Sequence, residues 1–480
     1  MGVLSELNPQ AVFTYFEALC HIPHGSGNMG KISDFCVEFA EKNGLWFYQD
    51  EANNVIIKKP ASCGYEYAAP IILQGHLDMV CQKEEGSTIQ FETDGIDLVR
   101  EGDYIRAKGT TLGADNGIAV AMIMAILADK ELSHPPIEAV FTTDEEIGMI
   151  GAGKLDMSVL QSKRMLNIDS EDPAVVTVSC AGGSDFWAHI PVSREQREGT
   201  TVVLTVKGLR GGHSGVEINS GRVNANFLMG RLLHSLSKAC SFDIISIDGG
   251  DKGNAIPVSC TAKVLTTQPE QVIAAFESCA VVIRDEIKSR EPEFSWLAET
   301  TGTGVADVMA KETSDKLLHT LLLAPNGVLE MSADIENLVE TSLNMGILKT
   351  EKDAVSVLFA LRSNKSTALA FLEEKLTVFF NAMGCAIKTG GHYPPWEYKN
   401  DSVLRDLYIE KYREKTDKTP RVEAIHAGLE CGVFAAAIPD FDCISIGPEM
   451  HDIHTVKERL SINSTKEIYE IICRMLADLK

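Results

Sequence analysis

Apolar residues recur at helical spacing over residues 8–20 and 29–44, so both segments are predicted to be amphipathic helices. Short apolar runs follow at 54–58, 71–75, 137–143, 165–168 and 174–179, with a helix expected near 115–129. Short strands alternating with helices predict a parallel or mixed sheet covered on both faces. From about residue 185 the order changes to strand 201–207, helix 221–239, strands near 241–246 and 258–266, and helix 269–289. A looser version of this α+β unit is expected at 339–390, with strands 343–348 and 354–361, helix 366–383 and strand 385–388, and residues 295–335 join the two. The alternating texture then returns, with strands 421–425 and 442–447 and a closing helix 465–479. The simplest architecture is one α/β domain built from residues 1–184 and 395–480, with 185–394 inserted as two similar α+β units.

Composition narrows the partners. The 480 residues carry a net charge of −24, which argues against nucleic acid or an anionic membrane surface. The 12 cysteines include no Cys-x-x-Cys pair and sit in apolar stretches, as core residues in a reducing compartment do. No basic and then apolar leader opens the chain, and the longest apolar run, 117–128, is too short to span a bilayer. A cytoplasmic protein is expected.

The chemistry sits where strands should end. His76-Leu77-Asp78 closes the apolar run 71–75, so His76 can bind a metal while Asp78 holds its other ring nitrogen. Asp115 follows a Gly-rich stretch at a helix start, where it is either a ligand or a helix cap. Asp144-Glu145-Glu146 follows the strand 137–141, and adjacent carboxylates there are costly unless they share a cation or a proton. Asp169 follows a further strand, and either His451 or His454 lies beyond the last. In the insert, His213 stands among glycines, and Arg362 ends a strand where it could clamp a carboxylate. A serine hydrolase is poorly supported, since Val216 replaces the last glycine of Gly-x-Ser-x-Gly.

The order His76-x-Asp78, Asp115-Asn116, Glu145-Glu146, Asp169 and a late His resembles metallopeptidase family M20, and within it the aminoacyl-histidine (Xaa-His) dipeptidases, or carnosinases. Gly109-Thr-Thr-Leu-Gly-Ala-Asp-Asn-Gly117, Lys207-Gly-Leu-Arg-Gly-Gly-His-Ser-Gly215, Asn254-Ala-Ile-Pro257 and His426-Ala-Gly-Leu-Glu-Cys-Gly432 extend the likeness over nearly the whole chain. The resemblance implies a di-metal catalytic domain with a lid, hydrolysing dipeptides such as carnosine. It implies two divalent ions, zinc before cobalt or manganese. Asp115 would bridge them, His76 and Asp169 would bind one, and Glu146 and His454 the other. Glu145 would be the general base, Asp78 would orient His76, and His213 would help stabilise the oxyanion. Asn254, Arg362, His426 and Glu430 would bind substrate, with Arg362 on its carboxylate. Thr455-Val456 after His454 departs from the family's usual Ser-Pro and leaves His451 open.

An M20-type amidase or deacylase acting on N-acyl amino acids, and a non-catalytic peptide-binding homologue, are the competing readings. In dimeric relatives with a single-unit lid, a His from one subunit completes the other's site. The doubled insert here implies that His213 and Arg362 serve one site within one chain, whether the protein is a monomer or a homodimer.

Overall fold

The computed structural model describes residues 2–480, and they divide into two compact units. Unit 1 comprises the residues up to Cys180 together with Trp396–Ala424 and Leu429–Lys480; unit 2 comprises Ala181–Pro395 and Ile425–Gly428.

Unit 1 is an α/β layer structure on an eight-stranded mixed sheet. Its strands run in the order Trp46–Gln49, Val55–Lys59, Ile137–Thr142, Ile71–His76, Arg164–Asn167, Asp442–Ser445, Val175–Cys180 and Arg421–Ile425. The four strands from Ile137–Thr142 to Asp442–Ser445 are mutually parallel. Every residue of Ile71–His76 and of Ile137–Thr142 is buried, so both faces are covered there, as parallel strands require. This explains why both strands read as mainly apolar runs, with Glu138 a buried exception.

The helix Ala114–Ala128 is apolar around its circumference and almost wholly buried, packed against the Ile71–His76 strand and the Gln10–Cys20 helix. Among the described residues no helix is long and apolar enough to cross a membrane. A small four-stranded sheet orders Met450–His451, Arg459–Ser461, Tyr104–Ala107 and Leu98–Glu101 and so fixes both ends of the loop that carries His454.

Unit 2 carries a nine-stranded antiparallel sheet. The order is Ser295–Met309, Arg194–Lys207, Cys260–Thr266, Asp243–Gly249, Val339–Thr350, Ala354–Ser363, Gly182–Pro191 and Ala386–Tyr393, with Gly327–Met331 also on Val339–Thr350. The two α+β units expected from sequence join edge to edge where Gly249 pairs with Leu348. One core runs through both: Leu204, Leu232, Phe276, Leu321, Phe359 and Phe380 belong to a single buried cluster.

Several features differ from the sequence expectation, among them the strands Trp46–Gln49 and Gly182–Pro191, for which no strand was expected. The joining segment 295–335 contains the strand Ser295–Met309, the helix Lys311–Leu323 and the strand Gly327–Met331. Ser295–Met309 lies at the sheet edge with most of its residues exposed, so its Thr- and Gly-rich centre shows no alternation of apolar and polar positions. The helix expected over 221–239 is Ala225–Ser237, because the side chain of Asn224 accepts the Asn226 N–H and caps it there.

One contact ties fold to site. A Cβ on Gly75 would lie 2.5 Å from Asn116 Oδ1 and 2.9 Å from Ala119 Cβ, so glycine lets the helix start approach the His76 strand. Gly75→Ala is therefore expected to lower the stability of the protein by about 1–3 kcal/mol through overpacking. Urea unfolding measures this, and an unchanged midpoint would refute the close-approach argument.

Candidate metal centre and the paired site in unit 2

The parallel strands of unit 1 end together. His76 is opposite Thr142, and Asn167 is opposite both Gln74 and Ser445. The loops leaving this carboxyl edge carry Asp78, Glu145 and Glu146, Asp169 and His454, the edge where open α/β sheets bind ligands. Asp115 arrives from the start of the Ala114–Ala128 helix, where it and Asn116 depart from helical torsions.

The side chains converge on Asp115. His76 Nε2 lies 3.3 Å from Asp115 Oδ1 and 3.4 Å from Asp169 Oδ1. His454 Nε2 lies 3.1 Å from Asp115 Oδ2 and 2.9 Å from Glu146 Oε1. Asp115 thus presents one oxygen to each imidazole. His451 goes elsewhere, with its Nε2 2.8 Å from Glu449 Oε1. Ligand atoms of His76, Asp115 and Glu146 lie within 4.8 Å of one another. Two imidazoles interleaved with three carboxylates fit divalent cations, since the carboxylates repel one another unless positive charge stands among them.

The titration behaviour has the same cause. Burial works against a charged His76, but Asp169, Asp115 and Asp78 overcome it and raise its pKa well above the usual histidine value. Hydrogen bonds to Asp115 and Glu146 raise that of His454 to about 10. Burial raises Asp169 to about 6 against the pull of His76. Glu145 is raised well above an ordinary glutamate, first by burial and then by Asp169, Glu430 and Glu146, with His76 opposing.

Supporting groups hold these in place. His76 Nδ1 lies 3.0 Å from the Asp78 carbonyl and 3.5 Å from its carboxylate. The Asp78 carboxylate accepts the backbone N–H of Glu145 at 3.0 Å and of Glu146 at 3.3 Å, and the Ser26 hydroxyl at 2.8 Å. Asn116 accepts the His76 N–H at 3.2 Å and donates to Asp169 Oδ1 at 2.7 Å. Glu430 is fully buried; its Oε2 accepts from Gln74 at 2.5 Å and Thr142 at 2.6 Å, while its Oε1 has no hydrogen-bond partner. It lies beneath the His76 strand rather than on an open surface. Ser26, Asn116, Gln74 and Thr142 escape sequence reasoning; only Asn116 carried a signal, as the neighbour of Asp115.

Unit 2 gathers a second group: His213, Arg362 and His426. A Cβ on Gly215 would lie 2.9 Å from His213 Cε1, 3.1 Å from Arg362 Nε and 2.5 Å from the His426 carbonyl oxygen, so only glycine admits all three. His213 Nδ1 accepts the N–H groups of Gly215 and Val216 at 3.3 Å, which leaves the hydrogen of the neutral ring on Nε2. Burial and then Arg362 lower the His213 pKa, so the ring is a neutral donor at physiological pH. Arg362 is buried; its Nη1 donates to the Tyr393 hydroxyl at 2.9 Å and its Nε has no hydrogen-bond partner. Both ring nitrogens of His426 are engaged, with Ser342 at 2.7 Å and Asn364 at 3.1 Å, and burial, Arg362 and His213 push its pKa down to about 3. Asn254 is exposed, and its carbonyl accepts the Ser214 N–H at 2.9 Å.

Comparison with known proteins extends this geometry. Residues 72–478 match the sequence profile described as peptidase family M20/M25/M40. The chain is 34% identical over 483 aligned residues to the cytosol non-specific dipeptidase of Escherichia coli K12, covering 100% of this chain and 99% of that one. The crystal structure of aminoacylhistidine dipeptidase from Vibrio alginolyticus superposes with a TM-score of 0.92 at 35% identity, covering 100% of this chain and 98% of that one. Aminopeptidase PepT from Bacillus cereus shares the fold at a TM-score of 0.57 and 14% identity, with 98% and 99% covered.

The raised histidines carry a testable consequence. The neighbouring carboxylates raise the pKa of His76 above the usual histidine value and that of His454 to about 10, so a cation that binds these rings competes with protons for them. Zinc binding near neutral pH is expected to release about one proton or more per chain. Calorimetric titration in buffers of different ionisation enthalpy measures it, and buffer-independent heats would count against His76 and His454 as candidate ligands.

Proposed function

Because the chain belongs to peptidase family M20/M25/M40 and is thus a peptide-bond hydrolase, we propose that it is a metal-dependent dipeptidase whose substrates include Xaa-His dipeptides such as carnosine. The observation that carries this reading is the convergence of His76, His454, Glu146 and Asp169 on Asp115, with the buried Glu145 carboxyl beside them. The names of the relatives from E. coli and V. alginolyticus support a dipeptide substrate, and that of the former a cytoplasmic location.

His76 and Asp169 are proposed to hold one divalent ion, Glu146 and His454 a second, and Asp115 both, with zinc the expected metal. When bound, such a pair supplies Lewis-acid polarisation of a water and of the peptide carbonyl. Glu145 then takes the proton of the attacking water and delivers it to the departing amine. Its carboxyl suits both tasks, because burial favours its protonated form while neighbouring positive charge favours release. Asp78 fixes the His76 ring and, through two backbone N–H groups, the loop that aims Glu145.

The unit 2 group is proposed to handle the rest of the substrate. Arg362 would receive its free carboxylate through its guanidinium, whose donors are not all taken up within unit 2. His213, a neutral donor through Nε2, would stabilise the developing oxyanion. Glu430 and His426 act as supports rather than as direct contacts, since Glu430 is fully buried and both nitrogens of His426 are occupied. Asn254 is proposed to approach the substrate from the loop after the Asp243–Gly249 strand.

The decisive test is hydrolysis of a panel containing carnosine, other dipeptides and N-acyl amino acids, before and after exhaustive chelation. Dipeptide cleavage lost on chelation and restored by zinc is expected. Cleavage of N-acyl amino acids alone would instead make the protein an amidase. Glu145→Gln is expected to reduce kcat on the order of a hundredfold or more while metal content, read by elemental analysis, is retained. Full activity of that variant would remove Glu145 from its role.

A second test concerns which chain supplies His213. Its clustering with Arg362 inside one unit of one chain supports the two groups acting together, and His213 is proposed to serve the site of its own chain. Mixing inactive His213→Ala with inactive Glu145→Gln under subunit exchange is then expected to yield no activity. Activity rising with hybrid dimers would show that His213 serves a partner.

A further inference from the structure

Glu458 has no place in the ligand set, yet it is only 2% exposed. Its carboxylate is spent on four consecutive backbone amides. Oε2 accepts the N–H of Leu112 at 2.7 Å and of Gly113 at 3.2 Å; Oε1 accepts that of Ala114 at 2.9 Å and of Asp115 at 3.4 Å. These are N–H groups that the start of the Ala114–Ala128 helix leaves without intrahelical acceptors, and no local side chain caps it. Ordinarily a Ser, Thr, Asp or Asn beside the helix does this work. Here the acceptor comes from more than three hundred residues away.

The location of both ends gives the contact a purpose. The amides belong to the turn that presents Asp115. Glu458 itself ends the turn that presents His454: its own N–H donates to the Thr455 carbonyl at 3.1 Å. The next residue, Arg459, holds Asp452 on the other side of His454 at 2.5 Å. Asp452 and His454 both have left-handed backbone, with φ of 53° and 60°, so this loop has few ways to relax without its anchors. Glu458 therefore joins the segment carrying the central carboxylate to the segment carrying the last imidazole, and does so through backbone rather than through either ligand side chain.

We propose that Glu458 is a positioning residue of the metal centre, clasping the Asp115 turn to the His454 turn so that both ligands meet at the spacing a divalent ion requires. The inference rests on the assignment of Asp115 and His454 as ligands. Supports of this kind typically change metal affinity about 10- to 100-fold when removed. In Glu458→Gln one oxygen becomes an amide nitrogen that must face backbone N–H groups, so half of the clasp turns repulsive while the volume is unchanged.

The test uses the full-length, metal-free protein titrated with Zn2+ alone, with thermal melting of the same samples. Glu138→Gln is the control. Glu138 is a second buried carboxylate of unit 1 that accepts backbone N–H groups, those of Gln161 and Ser162, but near the opposite end of its strand from Glu145. Both variants are expected to melt lower than the parent. Only Glu458→Gln is expected to lose zinc affinity, by about tenfold or more, and to lose kcat with KM little changed. Parental zinc affinity in folded Glu458→Gln, or an equal loss in Glu138→Gln, overturns the proposal. If Glu458→Gln does not fold, Glu458→Asp decides by the same reading, since it keeps the charge but cannot span four amides. Failure of both to fold also overturns it, because Glu458 would then serve the fold at large. Asp115→Asn separates the two layers: if it leaves zinc binding intact, the ligand assignment fails first.

Discussion

Mutual repulsion among buried carboxylates is the constraint that the structure of unit 1 is arranged around. Asp115, Glu146 and Asp169 stand within reach of only two imidazoles at the edge of a sheet whose central strands are wholly buried. Left to itself such a cluster would spread apart or take up protons. Parallel pairing stops the strands from spreading, because His76, Thr142, Asn167 and Ser445 end in register. Asp78 and Asn116 stop the loops from doing so, each bonding to more than one ligand segment at once. What remains is a cluster of ligand-type side chains held close together by strand register and loop hydrogen bonds, an arrangement that fits divalent cations.

Much of this was legible in the sequence, for a physical reason. Fully buried parallel strands appear as mainly apolar runs, and a polar cluster just after such a run marks the sheet's edge. That logic reaches His76, Glu145, Glu146 and Asp169 directly. Two imidazoles three residues apart on an irregular loop have no periodicity to separate them; in the fold His454 lies against Glu146 and His451 against Glu449. Gln74, Thr142 and Glu430 form a network linking residues hundreds of positions apart, and each looks locally like an ordinary strand or helix residue. Glu458 was hidden for a further reason: it acts on backbone amides, which every sequence has.

Unit 2 shows the opposite balance. The interior strands Val339–Thr350 and Ala354–Ser363 are largely buried and could be read as apolar runs, while the long Ser295–Met309 strand could not, because an exposed edge strand has no buried face to impose a pattern. The sequence suggested two α+β units; the structure fuses them through the Gly249–Leu348 pair into one sheet over one core. A continuous sheet makes the distance between His213 and Arg362 a property of the fold. Gly215 then sets the contact at its limit, since any side chain there would collide with both groups and with the His426 backbone.

The order of the elements in the chain has a consequence for biosynthesis. Unit 1 is interrupted: the strands leading to His76, Glu145 and Asp169 are translated first, then Ala181–Pro395 of unit 2, and only afterwards the Asp442–Ser445 strand and His454. Asp442–Ser445 is an inner strand of the unit 1 sheet, so that sheet cannot close while unit 2 is being made. On the ribosome the nascent chain must therefore carry an open hydrophobic sheet, lined with acidic loops, through the synthesis of some two hundred further residues. The same interruption means that the carboxylate cluster gains the His454 imidazole only after unit 2 has been made.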